Sequence, residues 1–193
     1  MLIQNALASN RICYNHFREV KMEKLVDRQI RSQTIFMESD LMETTLIFCK
    51  PDAVQRGLVG QIIQRIEIKG LCPVGLKMMM VPTETAQKHY AEHQGKHFYD
   101  GLIDFITSSP VVVMAVRGME AISVCRRLIG ATNGRSAEPG TIRGDFGLSG
   151  GYNLTHTSDS PESATRELAL WFPEGLVEYE RTSEQWVYQA GEV

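Results

Sequence analysis

The segment Asn153-Leu-Thr-His156-Thr-Ser158-Asp159-Ser-Pro-Glu, followed by a helical run that carries Glu167, holds the residue types needed for phosphoryl chemistry. It sets a lone histidine on the approach to a helix N-terminus, where backbone N–H groups and the positive end of the dipole favour an anionic phosphate. An imidazole of ordinary pKa is mostly neutral at pH 7 and can attack phosphorus. His156 is therefore the first candidate nucleophile. The competing reading is a surface or packed histidine beside an N-cap, the ordinary fate of this residue type.

A second constellation competes with it. His89-Tyr-Ala-Glu92-His93 matches H-x-x-E-H, in which two histidines one helical turn apart bind zinc and a glutamate activates water. That reading makes the chain a zinc peptidase centred on His89, Glu92 and His93; the plainer one leaves these residues on the solvated face of a short helix. The phosphate-loop pattern G-x-x-x-x-G-K-[ST] is absent, since Gly70-Leu-Cys-Pro-Val-Gly75-Leu-Lys77 misplaces the lysine, and no G-x-G-x-x-G joins a strand to a helix. Any nucleotide phosphates must then be held by separate cations, for which Lys50, Arg126 and Arg143 are the candidates.

The elements that must position these groups are readable from Thr44 onward. Thr44-Thr-Leu-Ile-Phe-Cys predicts a buried strand, and Gly60 to Gly70 places Ile62, Ile63 and Ile66 at helical spacing before a terminal glycine. Residues 71–81 predict a second strand, Thr83 caps a helix through about His93, 110–117 predicts a third strand, and Met119 to Leu128 a further helix. One more strand is expected beside the glycine-rich 130–151 segment, a long irregular stretch of the kind that carries function. Ser160-Pro161-Glu162 starts a last helix with Ala164, Leu168 and Trp171 as its buried stripe, and Pro173-Glu-Gly175 stops it. This order predicts a split β-α-β sandwich of the α+β class, with helices on one face of a largely antiparallel sheet.

Composition bounds the rest. At 193 residues and 43% hydrophobic content the chain suits one core and not two comfortable domains, and a formal charge of −3 argues against dedicated nucleic-acid binding. Cys13, Cys49, Cys72 and Cys125 form no Cys-x-x-Cys pair, which indicates reduced thiols in a cytoplasmic protein. No apolar run approaches the roughly 18 residues of a membrane span. Residues 1–41 read as an N-terminal extension, disordered or partly helical, with a weak likeness to a transit peptide that Glu19, Glu23 and Asp27 oppose; 42–189 read as the catalytic domain and 190–193 as a tail.

Lys50-Pro-Asp-Ala-Val, Tyr90-Ala-Glu-His, Ser109-Pro-Val-Val, Gly130-Ala-Thr-Asn, Pro139-Gly-Thr-Ile-Arg-Gly-Asp-Phe146 and Asn153 to Asp159 are each weak and jointly specific. In that order and spacing they resemble the nucleoside diphosphate kinases over roughly residues 43–189. The resemblance implies a ferredoxin-like α+β sandwich with a four-stranded antiparallel sheet and helices on its surface. It implies reversible, Mg2+-dependent transfer of a γ-phosphate from a nucleoside triphosphate to a nucleoside diphosphate through a pros-phosphohistidine on His156. It further implies that Lys50, Arg126, Arg143 and Thr132 hold phosphate, that Asn153 and Lys50 meet the sugar hydroxyls, and that Phe98 stacks on the base beside Leu102. Tyr90, Ser158, Asp159 and Glu167 fall in the supporting shell, and the metal is held by phosphates and water, not by the protein. The C-terminal Trp171 to Tyr188 resembles the longer tails of hexameric members, so a homohexamer is expected, with a homotetramer second.

Three positions depart from the family pattern. Thr157 replaces a glycine after the histidine, which matters if that backbone needs a positive φ, and which opens a third reading of the chain as a catalytically weakened nucleotide-binding module. Gly150 replaces an apolar side chain that faces the base opposite the aromatic ring. Gly134 replaces a proline of the long loop, a change expected to raise unfolded-state entropy and loosen subunit contacts.

Overall fold

The computed structural model describes residues 42–192. The expected extension over 1–41 lies outside the described residues, as does Val193 at the end of the tail.

The chain runs β1 (Met42–Cys49), α1 (Pro51–Gln55), α2 (Val59–Ile68), β2 (Cys72–Met79), α3 (Thr83–His89), a 3-10 turn at Ala91–His93, α4 (Tyr99–Thr107) and β3 (Val111–Met119). It continues through α5 (Ala121–Ile129), α6 (Ile142–Phe146), β4 (Thr155–Thr157), α7 (Pro161–Trp171) and a 3-10 turn at Glu184–Trp186. The strands form one sheet in the order β2-β3-β1-β4 with every pairing antiparallel, the ferredoxin-like arrangement. The expected fourth strand follows the glycine-rich segment, and it is short.

Helices cover both faces of the sheet, where the sequence reading put them on one. The reason lies in β1 and β3, which are apolar at consecutive positions and so carry greasy side chains in both directions. Ile47, Cys49, Met114 and Val116 pack with Ile62 and Ile66 of α2 and Cys125 and Ile129 of α5. Leu46, Phe48, Val113 and Ala115 face the other way, toward Ala86 of α3, Ile103 and Ile106 of α4 and Trp171 of α7. Two half-cores share one sheet.

Local differences from expectation have equally simple causes. Pro82, not Thr83, occupies the N-cap of α3, and α3 ends at His89; the chain then tightens into the 3-10 turn in place of a helix running to His93. Ser160 caps α7 as expected, accepting from Ser163 N–H while the Ser163 hydroxyl serves the cap, with Pro161 in the first turn. The glycine-rich segment is less irregular than it reads, because Thr141 caps α6 by accepting from Gly144 N–H. Gly134 also has a structural reason. A Cβ there would lie 2.4 Å from the Gly147 carbonyl carbon, and Gly134 N–H donates to Ser149 O, so this loop path has no room for a side chain and uses a donor that proline lacks.

Candidate active site

His156 sits in β4 directly opposite Phe48 of β1, and the two rings stack with centroids 4.9 Å apart. The register therefore presents the imidazole on the same sheet face as α3 and α7. Its Nε2 lies 2.9 Å from Glu167 Oε2, which also accepts from the Ser158 hydroxyl at 2.8 Å, and Ser158 in turn accepts from Leu46 N–H. With Nε2–H donating to the carboxylate, the lone pair is left on Nδ1. Burial first, then Lys50 and Arg143, push the His156 pKa down to about 3, so the ring is neutral across the physiological range. Burial raises the Glu167 carboxyl.

Thr157 continues β4 opposite Ile47, and positive φ among the described non-glycine residues is confined to Glu120 and Leu154. The backbone after the histidine is extended and asks for no glycine. Strain lies two residues before the histidine: fully buried Leu154 has φ +70°, held there by donating to Asp52 Oδ2 and accepting from Lys50 N–H. This clamp fixes the chain leading into the strand of His156 to Lys50, which directly follows β1, and to Asp52 of α1.

The cationic side is built by the same crossing. Lys50 Nζ donates to Asn153 Oδ1 at 2.7 Å, while Asn153 Nδ2 donates to Thr132 O and Gly150 O. Arg143, on α6, donates through all three nitrogens to the carbonyls of Asn153, Gly130 and Thr155 and is buried. Burial, reinforced by Arg126, lowers its pKa to about 10, and burial with Arg143 nearby lowers Lys50 to about 8. Arg126 at the end of α5 is exposed.

These groups line a cavity of about 860 Å³ together with Tyr90, Phe98, Leu102, Thr132 and Asp159. The sequence-derived candidates Lys50, Tyr90, Phe98, Leu102, Arg126, Thr132, Arg143, Asn153, His156 and Asp159 all border it; Ser158 and Glu167 stand behind the histidine. Phe98 on the cavity lining is 44% exposed, and at Gly150, also on the lining, a Cβ would meet nothing within 4 Å, so that stretch of wall is open. Tyr152 flanks that gap and packs on Phe105 with centroids 4.7 Å apart.

The zinc-peptidase constellation does not assemble. His89 is buried and accepts at Nδ1 from Trp171 Nε1, Glu92 is exposed, and His93 pairs with Lys96, because the break after α3 turns the second histidine off the helix face. His89 instead approaches His156, ring centroids 4.5 Å apart.

A family profile described as nucleoside diphosphate kinase matches residues 43–177. The chain belongs to the nucleoside diphosphate kinase family. It is 56% identical over 149 residues to the nucleoside diphosphate kinase of Staphylococcus epidermidis, across 77% of this chain and 100% of that protein. Against the one from Carboxydothermus hydrogenoformans identity is 54%, again over 77% and 100%. The fold is similar to a halophilic nucleoside diphosphate kinase of Halobacterium salinarum in complex with CDP, with TM-score 0.74, 49% identity and coverage of 76% and 99%. As a member of the nucleoside diphosphate kinase family the chain is a phosphotransferase that passes phosphate between nucleotides.

Sequence reasoning assigned no role to Asp52, Leu154 or Trp171. Asp52 lay in the Lys50-Pro-Asp motif and could have been singled out. Trp171 read only as part of a buried helical stripe and Leu154 only as a member of the Asn153–Asp159 segment, and nothing in their types announces a hydrogen bond to a buried imidazole or a positive φ.

Proposed function

We propose that His156 attacks the γ-phosphate of a nucleoside triphosphate through Nδ1, releases the diphosphate, and passes the phosphoryl group to a second nucleoside diphosphate. The observation that carries this is the Glu167 contact to Nε2, which leaves the nucleophilic lone pair on Nδ1 beside Lys50 and Arg143. As Nδ1 bonds to phosphorus, the bond to the bridging β,γ-oxygen breaks and its electron pair leaves with the diphosphate. Glu167 then supports the more basic phosphorylated ring. Arg143, whose carbonyl partners fix it in place, and Arg126 and Lys50 balance the charge spread over the transferring group, with Thr132 as a hydroxyl donor. Tyr90 and Asp159 support the histidine's surroundings. Lys50 and Asn153, already joined, meet the sugar hydroxyls, and the base rests on Phe98 beside Leu102. Stacking on one ring with an open stretch of wall suits a site tolerant of every base. CDP in the Halobacterium relative is in keeping with this.

Mg2+ is the divalent ion proposed. The acids on the cavity wall are Glu92 and Asp159, too few for an octahedral oxygen cage, while the cations there suit phosphate that carries its own metal. Bound to phosphate oxygens and water, Mg2+ would neutralise charge on the triphosphate. The decisive experiment is incubation with γ-labelled ATP and Mg2+, then a different nucleoside diphosphate. Acid-labile label should appear on the protein, move to the diphosphate, and be missing from His156→Ala; label retained in that variant would overturn the assignment.

We further assign a homohexamer, with a homotetramer as second choice. Support comes from Leu76, Met78 and Met80, exposed along edge strand β2 and just past it, and from Trp186, 84% exposed, although Tyr188 is used internally, accepting from Met119 N–H. Sedimentation velocity tests it. No helix among the described residues is long and apolar enough to cross a membrane, and Cys49, Cys72 and Cys125 are buried free thiols, which suits the cytoplasm. Cell fractionation is the test.

A further inference from the structure

His89 is a buried titratable group with no part in the transfer just described. Burial, together with His156, lowers its pKa to about 3, so the ring is neutral and carries a single proton. Which nitrogen carries it is decided by a neighbour. The indole of Trp171 can only donate, and it donates to His89 Nδ1 at 3.1 Å. Nδ1 therefore holds the lone pair and Nε2 holds the hydrogen. Nε2 is buried and has no hydrogen-bond partner among the described residues.

Ligand atoms of His89, His156 and Glu167 lie within 4.8 Å of one another. Two imidazoles and a carboxylate are the donor set of a three-ligand zinc site, whose bonds run about 2.0–2.2 Å. A metal seated there would occupy His156. A ligating histidine, however, aims a lone pair at the metal and donates its other N–H to an acceptor. His89 has the opposite polarity: the indole hydrogen occupies the lone pair of Nδ1, and the ring's own proton occupies Nε2. Releasing Nε2 as a ligand would move the proton to Nδ1, setting two buried N–H groups against each other.

We propose that Trp171 locks His89 as the Nε2–H tautomer and so keeps the His89–His156–Glu167 cluster closed to zinc-class cations, leaving His156 free for phosphoryl transfer. The consequence for turnover rests on His156 being the nucleophile. Zinc affinity and the tautomer do not, so they report on the lock even if the label-transfer assay fails.

The test is titration of the full chain with Zn2+ against a chromophoric chelator. Trp171→Phe should bind one Zn2+ roughly tenfold or more tighter than the unaltered protein, and Trp171→Phe combined with His89→Gln should lose that gain. Zinc should correspondingly inhibit Trp171→Phe at lower concentration in the presence of excess Mg2+. Equal zinc affinity in a folded Trp171→Phe protein, or a gain that survives His89→Gln, overturns the proposal. A second measurement needs no variant: nitrogen-15 histidine spectra of the unaltered protein should show His89 protonated at Nε2 and bare at Nδ1. The reverse pattern overturns the lock outright.

Discussion

The two ends of the cavity are built differently. At the end proposed to hold phosphate Lys50, Arg143 and Asn153 are buried, each with at least one short hydrogen bond to the protein, and the strained Leu154 ties the approach to β4 to Lys50 and Asp52. At the end proposed to hold the base Phe98 and Tyr152 are exposed and Gly150 offers no side chain. Electrostatic stabilisation depends on dipoles and charges that need not reorganise, so rigidity belongs where charge moves. Stacking needs only a flat apolar surface, and an open mouth costs little while admitting different bases.

Breaking the rigid end should have the largest effects. His156→Ala should lower exchange by about four orders of magnitude or more while nucleotide affinity, measured by calorimetry, stays close to that of the parent. Arg143→Ala should lower kcat by about 10²–10³-fold, since a charged donor to the transferring group is lost. If steady-state kinetics instead showed a change in KM alone, Arg143 would be a ground-state anchor and the contrast between the two ends would shrink.

A pH profile probes the same end more gently. With Lys50 lowered to about 8, its ammonium is charged below that value and neutral above it, so phosphate recognition by the free enzyme should fall as pH rises through about 8. kcat/KM reports free-enzyme groups, and its alkaline limb should lie there. Lys50→Arg should move that limb to higher pH, because guanidinium does not titrate in this range. His156, held to about 3, should contribute no loss of activity down to pH 5.

The open end gives the smaller responses. Gly150→Val fits, since a Cβ there meets nothing within 4 Å, and supplying a second apolar wall should tighten nucleotide binding by about 1 kcal/mol, roughly fivefold. Unchanged affinity for all four nucleoside diphosphates would show that the base does not pass that wall. Thr157→Gly should be the mildest change, within about twofold in kcat, because the residue is already extended in β4 and asks for no positive φ. A large gain in rate would mean that the threonine does impair the histidine after all.

Much of this protein was legible in its sequence. Apolar runs at Leu46–Cys49 and Val111–Val116 announced central strands because burial on both faces leaves no polar alternation to read. Ser160-Pro161 announced α7 because capping chemistry is local. The spaced segments from Lys50 to Asp159 identified the family, since their joint order is far more specific than any one of them. What the sequence could not reveal depends on contacts between distant residues. The H-x-x-E-H spacing was correct and its geometry was not, because the helix stopped at His89 and sent that residue to Trp171, 82 positions away. A second covered face of the sheet, the positive φ of Leu154 held by Asp52, and the close approach of Gly134 to Gly147 likewise exist only once strands and loops meet. Sequence by itself determined the residue types, the local starts and stops, and the family. Tertiary structure alone decided which nitrogen of His89 and of His156 carries a proton, because that choice is made by the donor or acceptor that packing brings against the ring.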